Sequence, residues 1–307
     1  MVVSRAVPQT AAPSHLFDGR NALIVGASGG IGRAVARALA DGGARLMLHG
    51  RDPARLARAL ADDPERDLPD QSLRPESHTG SSVDPPAAQG VSQPVETVIC
   101  DLPFDAVLDE GRGEAGDSAA PSDASQRLQN VVDVMLKGGV PDILVVGYGP
   151  FLERSLLDTT AAQWRALFEA NVMLPVMLAQ RCLPVMQQRG FGRVLVFGGT
   201  GTDRIAGFRT VAAYSAVKTA LMSWVKSAAR EVGSAGQHAN LAVNAICPGY
   251  VATEYLSQTT RERYARRIPG GRLATPQQVA TAALALLDPG STLMNGVILP
   301  LDGGTRS

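Results

Sequence analysis

The sequence is poor in cysteine and carries no surplus of charge of either sign. Cys100, Cys182 and Cys247 are widely spaced, with no CxxC pair and no histidine cluster, which argues against a disulfide framework and a structural zinc site. This pattern fits a reducing, cytoplasmic location and a protein without a metal centre. The 29 Lys and Arg residues balance 29 Asp and Glu residues, so no net field draws the chain to nucleic acid or to an anionic membrane.

Long apolar runs are also missing. No run approaches the length needed to cross a bilayer, and residues 1–18 have no continuous apolar stretch after their first charge. We interpret 1–18 as a flexible tail, with a transit peptide as the alternative. The chain has 307 residues, 45% of them hydrophobic, so the remaining segment 19–307 is long enough to bury a full core.

Short apolar runs alternate with stretches of helical periodicity. The runs are rich in Val, Ile and Leu without clean alternation, which is typical of strands covered on both faces. We therefore expect an α/β fold in which a parallel sheet lies between two layers of helices. The seven predicted strands are 21–25, 44–49, 95–100, 142–147, 193–197, 240–247 and 296–302.

Two segments interrupt this alternation. Residues 61–94 and 109–125 are rich in Pro, Ser, Asp and Gly and contain little that could offset the entropy lost when a chain is ordered. We predict that both are disordered surface insertions. A regulatory or partner-binding role is the alternative.

A glycine-rich turn, VGASGGIGRA (25–34), follows the first predicted strand and opens a helix. Gly26 would allow a sharp turn, Gly30 a close approach of the backbone to a ligand, and Gly32 tight packing of the helix on the sheet. The N–H groups of the helix N-terminus would then face a pyrophosphate. The spacing GxxxGxG differs from the usual GxGxxG fingerprint, so the turn is evidence for a dinucleotide site only together with its strand and helix.

The second strand ends in HGRD (49–52). An acidic residue there would bind the ribose 2′-hydroxyl of NAD, but Gly50 occupies the place and Arg51 follows. A guanidinium can clamp a 2′-phosphate, so the sequence favours NADP(H) over NAD(H). The alternative is that Arg51 only ends the strand in solvent. Asp101, after the third strand, is placed to meet the adenine edge.

Six motifs follow one another along the chain: VGASGGIG (25–32), Asp101-Leu102, FEANV (168–172), YSAVK (214–218), CPGYVAT (247–253) and DGG (302–304). In this combination and order they resemble the classical short-chain dehydrogenase/reductase family. The resemblance runs from about Gly19 to Gly304 and implies a single-domain, Rossmann-type, doubly wound sheet of seven parallel strands. It also implies a homodimer or homotetramer formed through the helices that carry Asn171 and Tyr214.

Tyr214 and Lys218 lie four positions apart on a predicted helix and so leave the same face. A free phenol has a pKa near ~10, and a nearby ammonium would bring it closer to neutral pH. The resemblance implies that Tyr214 exchanges a proton with a carbonyl or alcohol oxygen, that Lys218 binds the nicotinamide ribose, and that Asn171 holds a water in the proton relay. It implies further cofactor contacts from Ser28, Gly29, Gly30, Ile31, Gly32, Leu102, Gly147, Pro248, Gly249, Val251 and Thr253.

The family's substrate-orienting serine is missing, because Gly199 stands at the aligned position. Its hydroxyl would steady the charge that develops on the substrate oxygen. We predict that a longer loop brings Thr200 into this position, with Thr202 as the second candidate. The alternative is that both hydroxyls form only local hydrogen bonds in the turn.

Two other segments depart from the family pattern or extend it. The sequence VGYG (146–149) replaces the usual Asn-Asn-Ala-Gly, so Tyr148 and the following Pro150-Phe151 would form either an aromatic wall for a ring substrate or part of the core. Segment 254–272 stands at the position of the mobile substrate lid. Its arginines would either attract an acidic substrate, such as an acyl group on a phosphopantetheine carrier, or form a solvated helix face. They are Arg261, Arg263, Arg266 and Arg267.

We therefore expect an NADP(H)-dependent oxidoreductase that transfers a hydride between the nicotinamide and a small carbonyl or alcohol substrate. A 3-oxoacyl-thioester reductase is one alternative. A catalytically weak NADP-binding regulator or scaffold is the other, since Gly199 and the changed VGYG segment are also compatible with lost activity.

Overall fold

A single parallel sheet of seven strands organises the protein. The computed structural model describes residues 15–57, 59, 95–100, 102, 104, 108, 121–234 and 240–305. The strand order is β3-β2-β1-β4-β5-β6-β7, which confirms the predicted doubly wound fold. The strands are β1 (Asn21–Val25), β2 (Arg45–Gly50), β3 (Val95–Ile99), β4 (Ile143–Val146), β5 (Phe191–Phe197), β6 (Asn240–Pro248) and β7 (Ile298–Leu301).

Helices cover both faces of this sheet. Side chains of β1 alternate between two hydrophobic clusters, with Leu23 and Val25 in one and Ala22 and Ile24 in the other. This burial on both faces explains why the central strands, such as β1, are apolar without alternation. The helices are α1 (Gly30–Asp41), α2 (Pro53–Ala57), α3 (Pro121–Met135), α4 (Ala161–Phe168), α5 (Leu174–Gln188), α6 (Ala212–Gly233), α7 (Gln258–Ala265) and α8 (Pro276–Leu287).

The chain reverses its direction of winding at β1. Strand β1 pairs with β2 on one side and with β4 on the other. At its carboxyl end, Val25 lies opposite His49 of β2 and opposite Val146 of β4. Because both connections leave from the carboxyl ends of the strands, a crevice opens there, between the loops after β1 and β4. Every predicted catalytic residue lies near this end of the sheet.

The ends of two predicted segments need correction. Phe17 is fully buried, and its N–H donates to the carbonyl of Gly42 at 2.7 Å, so the last residues of the range 1–18 pack on the fold because they carry this aromatic anchor. Helix α3 begins at Pro121, so the predicted insertion 109–125 extended too far into a helix. Residues 1–14, 61–94 and 109–120 lie outside the described residues.

Within the described part of the chain, no helix is both long and apolar enough to cross a membrane. The same residues contain no group of three or more His, Cys, Asp or Glu side chains arranged to hold a metal ion.

Candidate active site

The glycine turn after β1 has the tight geometry that its sequence predicts. Gly26 has a φ of +85°, and a β carbon on it would lie 2.7 Å from the backbone nitrogen of Tyr148. A β carbon on Gly32 would overlap the carbonyl oxygen of Gly26. Gly29, the residue before α1, provides no side-chain cap, so the first N–H groups of the helix remain available to an anion. The turn therefore forms a cradle for a pyrophosphate.

The predicted contacts around this turn divide into two groups. Ser28 and Ile31 are partly exposed beside it, and Gly147 lies directly below, where its N–H donates to the carbonyl of Val25 at 2.8 Å. Leu102, in contrast, has its side chain buried in the core, so only its backbone could meet a ligand. Asp101 lies outside the described residues.

The end of β2 has a physical reason to be glycine. A β carbon on Gly50 would lie 2.9 Å from the Cγ atom of Leu56, because α2 packs closely there, so no acidic side chain fits at this position. Arg51 follows and is exposed, and Asp52 caps α2 by accepting hydrogen bonds from the N–H groups of Ala54 and Arg55. This end of the groove thus carries an exposed arginine and no acidic side chain at position 50.

Arg55 is a candidate that the sequence reasoning missed. Its Nη1 donates to the phenolic oxygen of Tyr255 at 3.5 Å, and its guanidinium lies 5.8 Å from the centre of that ring. Tyr255 in turn borders Gly29 of the glycine turn. The available signal was the position of Arg55, four residues after Arg51, in a short helix that begins with Pro53 and follows the end of β2.

Tyr214 and Lys218 occupy the first turns of α6. Lys218 is 4% exposed, and its ammonium donates to the carbonyl of Phe197, at the end of β5, at 2.8 Å. Its Nζ lies 5.9 Å from the centre of the Tyr214 ring. Burial lowers the pKa of Lys218 to about 8, and the neighbouring Cys247 thiol opposes this shift.

The pKa of Tyr214 differs from the expectation drawn from this pair. The phenol is partly exposed, yet surrounding protein raises its pKa above the ordinary value, first through burial and then through the nearby Cys247. The predicted lowering by Lys218 is therefore absent here. The physical reason is that burial outweighs the attraction of an ammonium whose proton is directed at Phe197.

Asn171 lies in a π-helical turn, Glu169–Met173, between α4 and α5. Its Nδ2 donates to the carbonyls of Leu167 at 3.0 Å and Pro150 at 3.3 Å, whereas its buried Oδ1 has no hydrogen-bond partner in the described part of the chain. Single π-helical turns inside α-helices often occur at functional sites. The helix before this turn, α4, begins at a capping box formed by Thr160 and Gln163.

Gly149 brings Asn171 and Lys218 to the same space. A β carbon on Gly149 would lie 2.6 Å from the Lys218 Nζ and 2.7 Å from the Asn171 Oδ1. Any other residue at this position would push one of the two polar groups away. The unpartnered amide oxygen and the buried ammonium thus face one small region beside Tyr214.

Gly199 is explained by Tyr214. A β carbon on Gly199 would lie 2.8 Å from Cε1 of Tyr214 and 3.0 Å from its phenolic oxygen. The tyrosine ring therefore uses the space that a serine side chain would take. At Gly198, a β carbon would lie 2.8 Å from Oγ1 of Thr202, so the turn allows no side chain at either position.

The two threonines are placed differently from the predicted substrate contacts. Oγ1 of Thr202 is buried, accepts a hydrogen bond from the N–H of Gly199 at 2.8 Å and donates to its carbonyl at 3.0 Å. The hydroxyl of Thr200 donates to the carbonyl of Pro248 at 3.3 Å, and in the described residues it makes no hydrogen bond to Tyr214. These contacts match the alternative of local turn bonds, and the catalytic role of Thr200 stays a prediction.

The aromatic residues after β4 separate into a core residue and a wall. Tyr148 packs against the core, in agreement with the second of the two interpretations. Phe151 is 57% exposed, and its ring lies edge-on to Tyr214 with 5.0 Å between the ring centres. Phe151 thus presents an apolar surface immediately beside the phenol.

The segment after β6 reaches back to the glycine turn. Gly249 packs on Asp302, since a β carbon on Gly249 would lie 2.8 Å from the Cα atom of Asp302. Val251 forms an isolated β-bridge with Ala274. The methyl group of Thr253 lies 3.1 Å from the position of a β carbon on Gly30. Thr253 is therefore at the edge of the predicted cofactor groove, below the segment that contains α7.

The lid arginines mostly have partners of their own. Arg261 donates to the carbonyl of Thr253 at 2.9 Å, and Arg267 donates to the hydroxyl of Tyr250 at 3.4 Å. Arg263 and Arg267 lie over the ring of Tyr264, and Arg266 is exposed. Three of the four arginines thus contribute to the packing of the lid.

Comparison with known proteins agrees with this geometry. A family model described as "Enoyl-(Acyl carrier protein) reductase" matches residues 99–306, and one described as "short chain dehydrogenase" matches residues 20–70. The 3-oxoacyl-(acyl-carrier-protein) reductase FabG of Vibrio cholerae is 28% identical over 292 residues, which are 94% of this chain and 98% of that protein. The galactitol 2-dehydrogenase (L-tagatose-forming) of Cereibacter sphaeroides is 28% identical over 294 residues, which are 94% and 95% of the two chains.

The fold has counterparts among solved structures. A 3-oxoacyl-(acyl-carrier-protein) reductase with bound NAD from Brucella melitensis matches with a TM-score of 0.70 at 20% identity, over 99% of this chain and 97% of the other. At this identity the likeness shows the fold alone. The first family model, however, covers more than half of the chain. The chain therefore belongs to the short-chain dehydrogenase/reductase family, whose members are oxidoreductases that bind a nicotinamide cofactor and act on carbonyl and alcohol groups.

Proposed function

We propose that the protein is an NADP(H)-dependent oxidoreductase that interconverts a carbonyl and an alcohol, with Tyr214 as the general acid and base. One observation carries the proposal. The phenol of Tyr214, the ammonium of Lys218 and the amide oxygen of Asn171 meet around Gly149 and Gly199, at the carboxyl ends of β4 and β5.

The residues of the groove fit a nicotinamide dinucleotide. Gly26 and Gly32 allow a turn too tight for a β carbon at either position, and the first turn of α1, after this turn, would offer its N–H groups to a pyrophosphate. At the other end, Gly50 leaves no acidic side chain for a ribose 2′-hydroxyl, and Arg51 and Arg55 provide positive charge. These features support NADP(H) over NAD(H). A bound nicotinamide cofactor supplies or accepts the hydride.

Tyr214 is suited to donate a proton when a carbonyl is reduced. Its raised pKa keeps the phenol protonated, and the donated proton turns the developing alkoxide into the alcohol. Lys218 is cationic below a pH of about 8 and stabilises the phenolate that remains on Tyr214. In the direction of alcohol oxidation the same phenolate would accept the proton.

Asn171 would hold the water that returns a proton to this pair. Its buried Oδ1 has no hydrogen-bond partner among the described residues, faces the same space as the Lys218 Nζ, and would accept a hydrogen bond from a water held between them. Its Nδ2 is fixed by two backbone carbonyls, so the oxygen cannot turn away. Asn171 therefore positions the relay rather than reacting itself.

The wall of the site favours an apolar substrate group. Phe151 exposes its ring beside Tyr214, which provides a surface for an aryl or alkyl substituent next to the carbonyl. The Vibrio cholerae relative supports a second candidate, the reduction of 3-oxoacyl thioesters. A small carbonyl substrate and a homo-oligomeric assembly in the cytoplasm remain our expectations.

Steady-state oxidation of NADPH over a panel of aryl ketones, alkyl ketones and 3-oxoacyl thioesters tests the proposal. We expect turnover of at least one ketone class, and a loss of about 10²- to 10⁴-fold in Tyr214→Phe, because the proton donor is removed. Tyr264→Phe, which changes a lid tyrosine stacked on Tyr250, is the matched control and should retain activity. Tight NADPH binding without turnover on any substrate would instead identify a regulator or scaffold.

A further inference from the structure

Two residues after β6 lie across the glycine turn. The Oε2 atom of Glu254 lies 2.8 Å from the position of a β carbon on Gly30, and the hydroxyl of Tyr255 lies 3.9 Å from that of a β carbon on Gly29. We call Glu254 and Tyr255 the strap. Its base is fixed, because Arg261 donates to the carbonyl of Thr253 at 2.9 Å.

The charges explain why the strap rests there. The N-terminus of α1 carries a partial positive charge and lacks a side-chain cap, so the Glu254 carboxylate is attracted to it. The same position is the one in which a dinucleotide would place its pyrophosphate. Two anions cannot share this position, so a nucleotide and the Glu254 carboxylate compete for it.

Arg55 holds the other residue of the strap from across the groove. Its guanidinium contacts the hydroxyl of Tyr255 at 3.5 Å and lies 5.8 Å from the ring centre. Both side chains are exposed, and Tyr255 leaves 60% of its surface in solvent. The contact is a long hydrogen bond to a hydroxyl oxygen. A phosphate would bind the Arg55 guanidinium more strongly than this hydroxyl does, because charge-assisted hydrogen bonds are stronger.

We propose that Arg55 is a specificity residue for the cofactor's 2′-phosphate and that binding of this phosphate releases the strap from the glycine turn. Arg55 lies in α2, four residues after the exposed Arg51, in the segment that follows β2 at the adenosine end of the groove, so both residues supply positive charge there. A nucleotide without the 2′-phosphate leaves Arg55 on Tyr255 and meets the strap in place. The ratio of the affinities for NADP and NAD would thus be larger than the contact of Arg55 with the 2′-phosphate alone would produce. This inference rests on the proposed function.

Titration with 2′,5′-ADP and with 5′-AMP, followed by calorimetry, tests the role of Arg55. These probes carry only the adenosine end, so the readout does not depend on turnover. We expect Arg55→Gln to weaken binding of 2′,5′-ADP about tenfold or more and to leave 5′-AMP within about twofold. Arg55 is exposed, so the variant should fold like the parent, which circular dichroism checks. Equal affinity of the parent and Arg55→Gln for 2′,5′-ADP would overturn the proposal.

Hydrogen exchange of the amides at 254–257 tests the release. We expect faster exchange there when 2′,5′-ADP is added to the parent, and no change in Arg55→Gln. Glu254→Gln weakens the hold on α1 and should tighten NADPH binding roughly two- to fivefold, whereas Glu262→Gln, an exposed carboxylate on α7, should have no effect. Unchanged exchange in the parent would contradict the release.

The outcomes separate this inference from the proposed function. If neither NADPH nor NADH binds the parent protein, the proposed function fails and the inference fails with it. If both nucleotides bind and Arg55→Gln keeps the preference of the parent for NADPH, only the inference fails.

Discussion

Gly199 and Tyr214 are in direct contact, and a β carbon on the glycine would lie 3.0 Å from the phenolic oxygen. At this position the family pattern has a serine. This chain lacks that hydroxyl, and the ring of Tyr214 occupies the volume in which the serine side chain would lie. Under the proposed function, Tyr214 would bind the substrate oxygen without help from a serine at this position. The occupied volume also means that the missing serine cannot simply be put back.

We expect Gly199→Ser to impair the protein rather than restore a typical site. Its β carbon would lie 2.8 Å from Cε1 of Tyr214, so the ring must move. A misplaced proton donor should lower kcat/KM roughly 10- to 100-fold, and overpacking should lower the free energy of unfolding by about 1–3 kcal/mol. Steady-state kinetics and urea unfolding measure both effects. A variant with higher kcat/KM than the parent would show that the ring accommodates the serine.

The two threonines should respond in opposite ways to removal of the hydroxyl. Thr202→Val leaves the buried N–H of Gly199 without its acceptor, which costs about 1–3 kcal/mol of stability and loosens the residue that contacts Tyr214. We therefore expect kcat to fall in Thr202→Val. Thr200→Val loses only a partly exposed bond to Pro248, so it should keep most of its turnover. A large loss of kcat in Thr200→Val alone would restore Thr200 as the substitute for the serine.

Much of the fold could be predicted because its cause is local. The central strands are buried on both faces, so runs such as 21–25 are apolar without alternation, and the sheet has all seven predicted strands. The boundary errors have equally local causes. Phe17 is one buried aromatic residue in an otherwise polar tail, and the start of α3 at Pro121 lies in a segment whose composition resembles a loop.

The details of the site could not be predicted in this way, because they depend on contacts between distant segments. The reason for a glycine at position 199 is the ring of Tyr214, which lies where a side chain at that position would be. Arg55 belongs to the groove only because Tyr255, 200 residues later in the chain, reaches it. The pKa of Lys218 depends on burial, which the spacing of Tyr214 and Lys218 does not reveal.

Gly149→Ala should reduce activity although it adds only one methyl group. That group would lie 2.6 Å from the Lys218 Nζ and 2.7 Å from the Asn171 Oδ1, so one of them must move. We expect kcat to fall roughly 10- to 100-fold with a smaller change in NADPH affinity. Gly207→Ala is the matched control, because no atom lies within 4 Å of its added carbon. Equal kcat in the two variants would separate Gly149 from the proton relay.

The rate of carbonyl reduction should fall in mildly alkaline solution. Burial lowers the pKa of Lys218 from 10.5 to about 8, so its cation is present below that pH and is lost above it. Tyr214 stays protonated over the same range because its pKa is raised. We therefore expect kcat/KM to be level below about pH 8 and then to fall about tenfold per pH unit, since this parameter follows groups of the free enzyme. A profile that stays level to about pH 10 would show that the charge of Lys218 is not required.

His49 should make the protein less stable in acid. Burial at the end of β2 lowers its pKa from 6.5 to about 4, opposed by its hydrogen bond to the Cys100 carbonyl and assisted by the charge of Arg51. In the unfolded chain His49 therefore binds a proton below pH 6.5, whereas in the folded protein it does so only near pH 4. Stability from this group is complete above pH 6.5 and declines by about 3 kcal/mol as the pH falls to 4.

His49→Gln tests this assignment, because the amide nitrogen can still donate to Cys100 but does not titrate in this range. Urea unfolding at pH 7 and pH 4 should show a drop in the free energy of unfolding that is smaller in the variant by about 3 kcal/mol. His15→Gln, which makes the same replacement at an exposed ring beside Asp18, is the matched control. An equal drop in the parent and in His49→Gln would mean that other groups, such as carboxylates that become protonated, cause the loss of stability in acid.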